Sequence, residues 1–221
     1  FVASRLGLVE QARWRPAHDG AAPAHANGGL VVVGSYVPKS SQQLAELLRV
    51  AATGTEATLV PVELSVPRVL APAQREAEIG RVRTLMSDTL AAGRDVVLFT
   101  SRALVTGDDG ALGLEVGAKI SPALVELVHS LQRRPAFLVA KGGITSSDLA
   151  TRALGVRRAM VLGQIVPGVP VWRLGPESRF PGVPYIVFPG NVGDLHALAE
   201  VYGRMRRRAS LPQHSLPLTD P

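Results

Sequence analysis

The sequence predicts an α/β domain: a mostly parallel sheet with helices on both faces, whose site lies at the carboxyl-terminal edge of the strands. Three observations carry this reading. Short runs of Val, Leu and Ile alternate repeatedly with longer amphipathic stretches. Hydrophobic residues make up 46% of the 221 positions but aromatics only 5%, so the core is aliphatic, as suits strands buried on both faces. Three of the apolar runs exit into turns that combine glycine with a hydroxyl or amide side chain.

Taken in order, residues 1–15 read as a short helix or linker, and 16–29 (PAHDGAAPAHANGG) as a Pro/Gly-rich connector without periodicity. Leu30-Val31-Val32-Val33 is a buried strand ending at Gly34-Ser35. Ser40-Ser41-Gln42-Gln43 has the spacing of a capping box and opens a helix with Leu44, Leu47 and Leu48 on one face. Residues 57–62 form a strand, placed at an edge by Pro61, and 66–70 a further extended piece. Residues 74–92 carry a helical stripe of Ile79, Val82, Leu85, Met86 and Leu90, stopped by Gly93. A strand at 95–100 runs into a polar loop. Residues 114–134 are then helical, restarting near Ser121-Pro122, where proline suits a first turn.

The strand 136–140 leads into Lys141-Gly142-Gly143-Ile144-Thr145-Ser146-Ser147-Asp148 and a further helical stretch. Residues 159–166 form a strand bent by Pro167-Gly168-Val169-Pro170 into Val171–Leu174. Tyr185–Phe188 is the last strand, with the exit loop Pro189-Gly190-Asn191-Val192-Gly193-Asp194. A helix over 195–208 closes the domain, and a disordered tail follows.

Composition excludes several classes of function. With no cysteine, there are no disulfides, thiolate nucleophiles or zinc–thiolate sites. The five histidines are scattered and form no HExxH pair. No apolar run is long enough to span a membrane, and a cytoplasmic location is expected. The charge of +6 and pI near 10.4 invite a nucleic-acid reading. Against it, Arg204, Arg206, Arg207 and Arg208 sit at the end of a helix, where they complement the dipole, and few aromatics are present for stacking.

The candidate chemistry lies in the three strand exits. In a parallel sheet Gly34-Ser35, Gly142-Gly143-Ile144-Thr145 and Gly190-Asn191 share one edge, and together they favour a nucleotide. Glycine lets a phosphate approach the backbone without a Cβ in the way. The competing reading is local: Thr145-x-x-Asp148 also fits a capping box, Lys141 either neutralises a phosphate or lies with its head in water, and Asp194 reads as an N-cap rather than a Mg²⁺ ligand. Neither GxGxxG nor GxSxG occurs, and Pro38 and Val33 occupy glycine positions of a P-loop, so dehydrogenase, hydrolase and P-loop readings are disfavoured.

Residues 30–44, the Lys141–Asp148 turn, Gly163–Pro170 and Phe188–Asp194 together resemble the C-terminal nucleotide-binding domain of the four-carbon acid sugar kinases, which include the 3-oxo-tetronate and threonate kinases. The resemblance runs from about residue 30 to 207. It implies ATP binding through Ser35, Gly142, Gly143, Ile144, Thr145, Gly190 and Asn191, with Mg²⁺, in an ATP-dependent kinase of a sugar acid. It also implies that 30–208 is the nucleotide-binding domain, that 1–29 is the end of an N-terminal substrate domain plus linker, and that 209–221 is a tail. It leaves the catalytic base, the metal ligands and the substrate epimer unassigned. The alternatives are a non-catalytic nucleotide-binding module and a basic nucleic-acid-binding domain; as partners, ATP or ADP, a sugar acid and a second copy in a homo-oligomer are expected.

Overall fold

The computed structural model describes residues 27–53, 59–102 and 110–210. Within them the chain runs β1 (Leu30–Val33), α1 (Pro38–Thr53), β2 (Leu59–Leu64), α2 (Val66–Leu70), α3 (Pro72–Ala91), β3 (Asp95–Thr100), α4 (Gly110–His129) and β4 (Leu138–Lys141). It continues as α5 (Gly143–Asp148), which passes into a π-helical turn (Leu149–Ala153), then β5 (Ala159–Val166), β6 (Val169–Leu174), β7 (Pro184–Phe188) and α6 (Ala197–Ser210). The described strands form one seven-stranded sheet in the order β2-β3-β1-β4-β7-β6-β5. Its first five strands are parallel, and β6 and β5 complete it as an antiparallel hairpin.

Because side chains alternate along a strand, β1 feeds two cores. Leu30 and Val32 pack with Val82 and Met86 of α3, Leu124 of α4 and Leu149 of the π-helical turn. Val31 and Val33 pack with Leu44 and Leu47 of α1 and with Leu198, Val201 and Met205 of α6. All four β1 residues are buried, which explains why this strand reads as an unbroken apolar run rather than an alternation.

The consequence for function is topological. After β1 the chain rises to α1 on one face, whereas after the neighbouring β4 it turns to α5 on the other. Where adjacent strands send their connections to opposite faces, a crevice opens above their carboxyl ends. The exits of β1, β4 and β7 all lie on that edge, with β4 in the middle.

Several elements differ from expectation. Residues 66–70 are helical, not extended, with Pro67 in a first turn where its missing N–H costs nothing. Helix α4 runs unbroken past Pro122; beside the proline, the Ser121 hydroxyl donates to Asp148. In α3, Ile79, Val82, Met86 and Leu90 are buried but Leu85 is 38% exposed, since it lies off the stripe facing the sheet. Both capping-box readings fail, because α1 and α5 begin earlier than assumed and place Ser40 and Thr145 inside the first turn. Residues 1–26 and 211–221, expected as linker and tail, lie outside the described residues. Asn27–Gly29 are packed: Asn27 Nδ2 donates to the Arg134 carbonyl (3.0 Å) and Gly28 N–H to the Leu90 carbonyl (3.0 Å).

Candidate functional site

The β4 exit is built around a backbone that only glycine adopts readily. Gly142 has φ +121°, and its N–H donates to the Phe188 carbonyl of β7 (2.8 Å). Ser146 turns its hydroxyl inward to the carbonyls of Ala140 and Gly142 (both 2.7 Å), and Tyr185 donates to the Ser146 carbonyl (2.7 Å). Ser146 therefore pins the turn and does not face the crevice. The π-helical turn beyond Asp148 widens the helix, a feature that recurs at functional sites.

The three exits meet. A Cβ placed on Gly142 would lie 2.9 Å from the Ser35 Cβ and 3.1 Å from the Thr145 hydroxyl. One placed on Gly190 would lie 3.2 Å from the Ser35 hydroxyl. A Cβ on Gly34 would collide with Thr145. Ser35, Gly142, Thr145 and Gly190 are thus brought into one cluster with room for backbone alone. Gly143 differs: a Cβ there meets nothing within 4 Å, so its missing side chain leaves open space above the turn. Ile144 is beside it and 68% exposed, and Asn191 is exposed on the β7 side.

Side chains that sequence reasoning assigned elsewhere tie the exits together. The Ser40 hydroxyl donates to the Gly190 carbonyl (3.2 Å), and Gln43 Nε2 to the carbonyls of Val192 (3.1 Å) and Asp194 (2.5 Å). Helix α1 thereby holds the β7 exit over 150 residues of sequence. Lys141 is completely buried rather than solvated: its Nζ donates to the carbonyls of Pro189 (2.7 Å) and Gly190 (3.1 Å) and lies 3.9 Å from the Phe188 ring centroid. Burial, helped by repulsion from Lys39, lowers its ammonium to about 8. Asp194 accepts from the His196 N–H (3.0 Å) within the turn that leads into α6; because the helix begins only at Ala197, it is not the N-cap expected. Arg102, at the β3 exit, donates through Nη1 to the Ser35 carbonyl (2.5 Å); only the sheet order, which brings β3 beside β1, reveals it.

The basic helix end is partly spent within the fold. Arg204 bonds to the Ile165 carbonyl and to Glu200, and Arg206 pairs with Asp95 (3.4 Å). This weakens the nucleic-acid alternative.

Residues 30–198 match the family model described as the nucleotide-binding C-terminal domain. The chain belongs to this family. The assignment agrees with the resemblance read from the four sequence motifs. No curated protein sequence matches the chain significantly. Among solved structures it is similar to a Haemophilus influenzae protein of the DUF1537 family (19% identity, TM-score 0.64, covering 91% of this chain and 45% of that one). It is also similar to a Bordetella bronchiseptica domain of unknown function (DUF1537), a domain-swapped dimer with bound citrate (21%, 0.62, 82% and 41%). A Salmonella typhimurium LT2 protein provisionally called a tRNA synthase is similar as well (20%, 0.62, 83% and 41%). The chain spans less than half the length of each. At these identities the likeness shows the fold. No described helix is long and apolar enough to cross a membrane.

Proposed function

We propose that this domain binds ATP in the crevice above β1, β4 and β7 and serves an ATP-dependent kinase that phosphorylates a four-carbon sugar acid. The observation that carries the reading is the cluster of Ser35, Gly142, Thr145 and Gly190 at the topological switch point, open above Gly143. The backbone turn after Gly142 offers the phosphates the N–H groups of Gly143 and Ile144 at the start of a helical segment, and the Ser35 and Thr145 hydroxyls flank it. Ile144 and Asn191 form the exposed rim, where a nucleoside has apolar and amide contacts to use.

The group that fits this cradle is a Mg²⁺-nucleotide. Among the described residues no three His, Asp or Glu side chains cluster; Mg²⁺ would be held chiefly by the nucleotide's phosphate oxygens and water, as is usual for this ion. When bound, it neutralises charge on the transferring phosphoryl group. The chain's own part is positional: Lys141, Ser40 and Gln43 fix the β7 exit, and Ser146 and Tyr185 fix the β4 exit, so the phosphate-facing amides need no rearrangement. The sugar acid is bound chiefly by a further domain, and closure of the two brings its hydroxyl in line. A homo-oligomer and a cytoplasmic location belong to the same proposal.

Calorimetric titration of the chain with Mg-ATP and Mg-ADP, with NADH as control, tests the binding half. Saturable adenine-nucleotide binding without NADH binding is expected. The catalytic half is tested by assaying the full-length gene product on threonate, erythronate and 3-oxo-tetronate. Absence of phosphoryl transfer to all three would leave a binding module only.

A further inference from the structure

At the exits of β1 and β3, four buried polar atoms lack a hydrogen-bond partner among the described residues: Tyr36 Oη, Thr100 Oγ1, Arg102 Nε and Arg102 Nη2. They belong together. The Arg102 guanidinium lies 5.3 Å from the Tyr36 ring centroid, and the Tyr36 phenol and Thr100 hydroxyl are neighbours whose geometry falls short of a hydrogen bond. Burial raises that phenol's pKa, with Thr100 and the Arg102 charge pulling it partly back. Such atoms are normally matched, and leaving a buried charged donor unmatched is costly. Of the five N–H groups of Arg102, one is used among the described residues, on Nη1, which donates to the Ser35 carbonyl. The charged neighbour acting on it is the exposed Glu63, with no ion pair between them. Arg102 is thus a cation anchored to the floor of the proposed crevice, with its remaining donors unspent.

We propose that Arg102, with Tyr36 and Thr100, forms an oxyanion-binding subsite at the β3 end of the crevice, engaged when a ligand closes over Ser35. The shared chemistry is a planar, bidentate fork matched to paired oxygens. Two sources supply such oxygens: the terminal phosphate of the nucleotide, and the carboxylate of an acid substrate. The first rests on the nucleotide reading above. The second does not. Either ligand meets the unmatched donors and spreads its charge over the guanidinium.

The test compares the wild-type chain with Arg102→Met and Arg102→Lys. Circular dichroism first establishes that both variants fold; removing an unmatched buried cation is expected to leave Tm unchanged or raised. Calorimetry with Mg-ATP, Mg-ADP and AMP then reads the subsite. For the phosphate source, Arg102→Met weakens Mg-ATP by about tenfold or more and AMP by less than about twofold, and Arg102→Lys recovers little because a point charge lacks the fork. Equal loss for all three nucleotides would make Arg102 only a tie for the Ser35 loop and overturn the proposal. If the wild type binds no nucleotide, that reading fails by itself. Thermal shifts with pyrophosphate and threonate then decide the subsite. Stabilisation of the wild type by either, absent in Arg102→Met, supports it; no stabilisation, or equal stabilisation of both proteins, overturns it. Weakening of threonate alone assigns the carboxylate source.

Discussion

The two edges of the sheet are finished differently. At the amino edge, polar groups meet one another. Asp95 is 1% exposed; its Oδ1 accepts from the Gly29 N–H (2.7 Å), its Oδ2 from the Tyr202 hydroxyl (2.8 Å), and Arg206 pairs with it. The glycines there are packed full: a Cβ on Gly28 would strike the Arg94 carbonyl, and one on Gly29 the Phe137 ring. At the carboxyl edge, Gly143 opens onto empty space and Arg102, Tyr36 and Thr100 keep unmatched donors and acceptors. The amino edge, where Arg134 Nε is unmatched, is nearly complete without a ligand, whereas the carboxyl edge gathers unmatched atoms of Arg102, Tyr36 and Thr100 in one place. Glycine alone does not mark a site. What distinguishes Gly143 from Gly28 and Gly29 is that nothing in the protein requires it.

The largest stability effect is expected at the finished edge. Asp95→Ala strands the Gly29 N–H and the Tyr202 hydroxyl and removes a partner of Arg206, at a cost of about 3–5 kcal/mol. Urea denaturation should show this loss, while ligand affinity of the folded fraction stays within about twofold, a bound drawn from additivity at distant sites.

Lys141→Met stands between the edges, because it acts at the crevice but is itself buried. Replacing a buried ammonium by an apolar chain of similar length is expected to change stability at neutral pH by less than about 1.5 kcal/mol. It releases the carbonyls of Pro189 and Gly190, and nucleotide affinity should fall about tenfold. The pH dependence has a definite sign. The folded-state value near 8 lies below the ordinary 10.5, so between those values the unfolded chain holds the extra proton. Stability therefore rises with pH across that window, and the wild type should gain relative to Lys141→Met there. A flat difference between the two would show that the ammonium is not desolvated.

Much of this was legible in sequence, and the reason is local chemistry. The strand–glycine–helix turn at 138–148 is written in consecutive residues, as are the apolar runs and the β5–β6 hairpin turn. Partners across the sheet are not. Ser40 and Gln43 read as caps because their spacing fits one, yet the neighbour they reach is fixed by α6 and β7 folding beside α1. Lys141 read as solvated or phosphate-bound, since nothing local shows that β7 lies beside β4 and presents two carbonyls. Arg102 went unnoticed because β3 becomes a neighbour of β1 only through a crossover. The residues 66–70 misled because Val and Leu around a proline suit an extended piece as well as a helix turn.

The smallest expected effect on the fold goes with the largest on the ligand, and this pairing gives the most direct test. Gly143→Val places a branched side chain in space the protein leaves empty, at a helical position, so stability should change by less than about 1 kcal/mol. Calorimetric titration of Mg-ATP into the wild type and this variant should show saturable binding in the first and none in the second. Equal affinity in both would contradict the placement of the nucleotide above Gly142-Gly143.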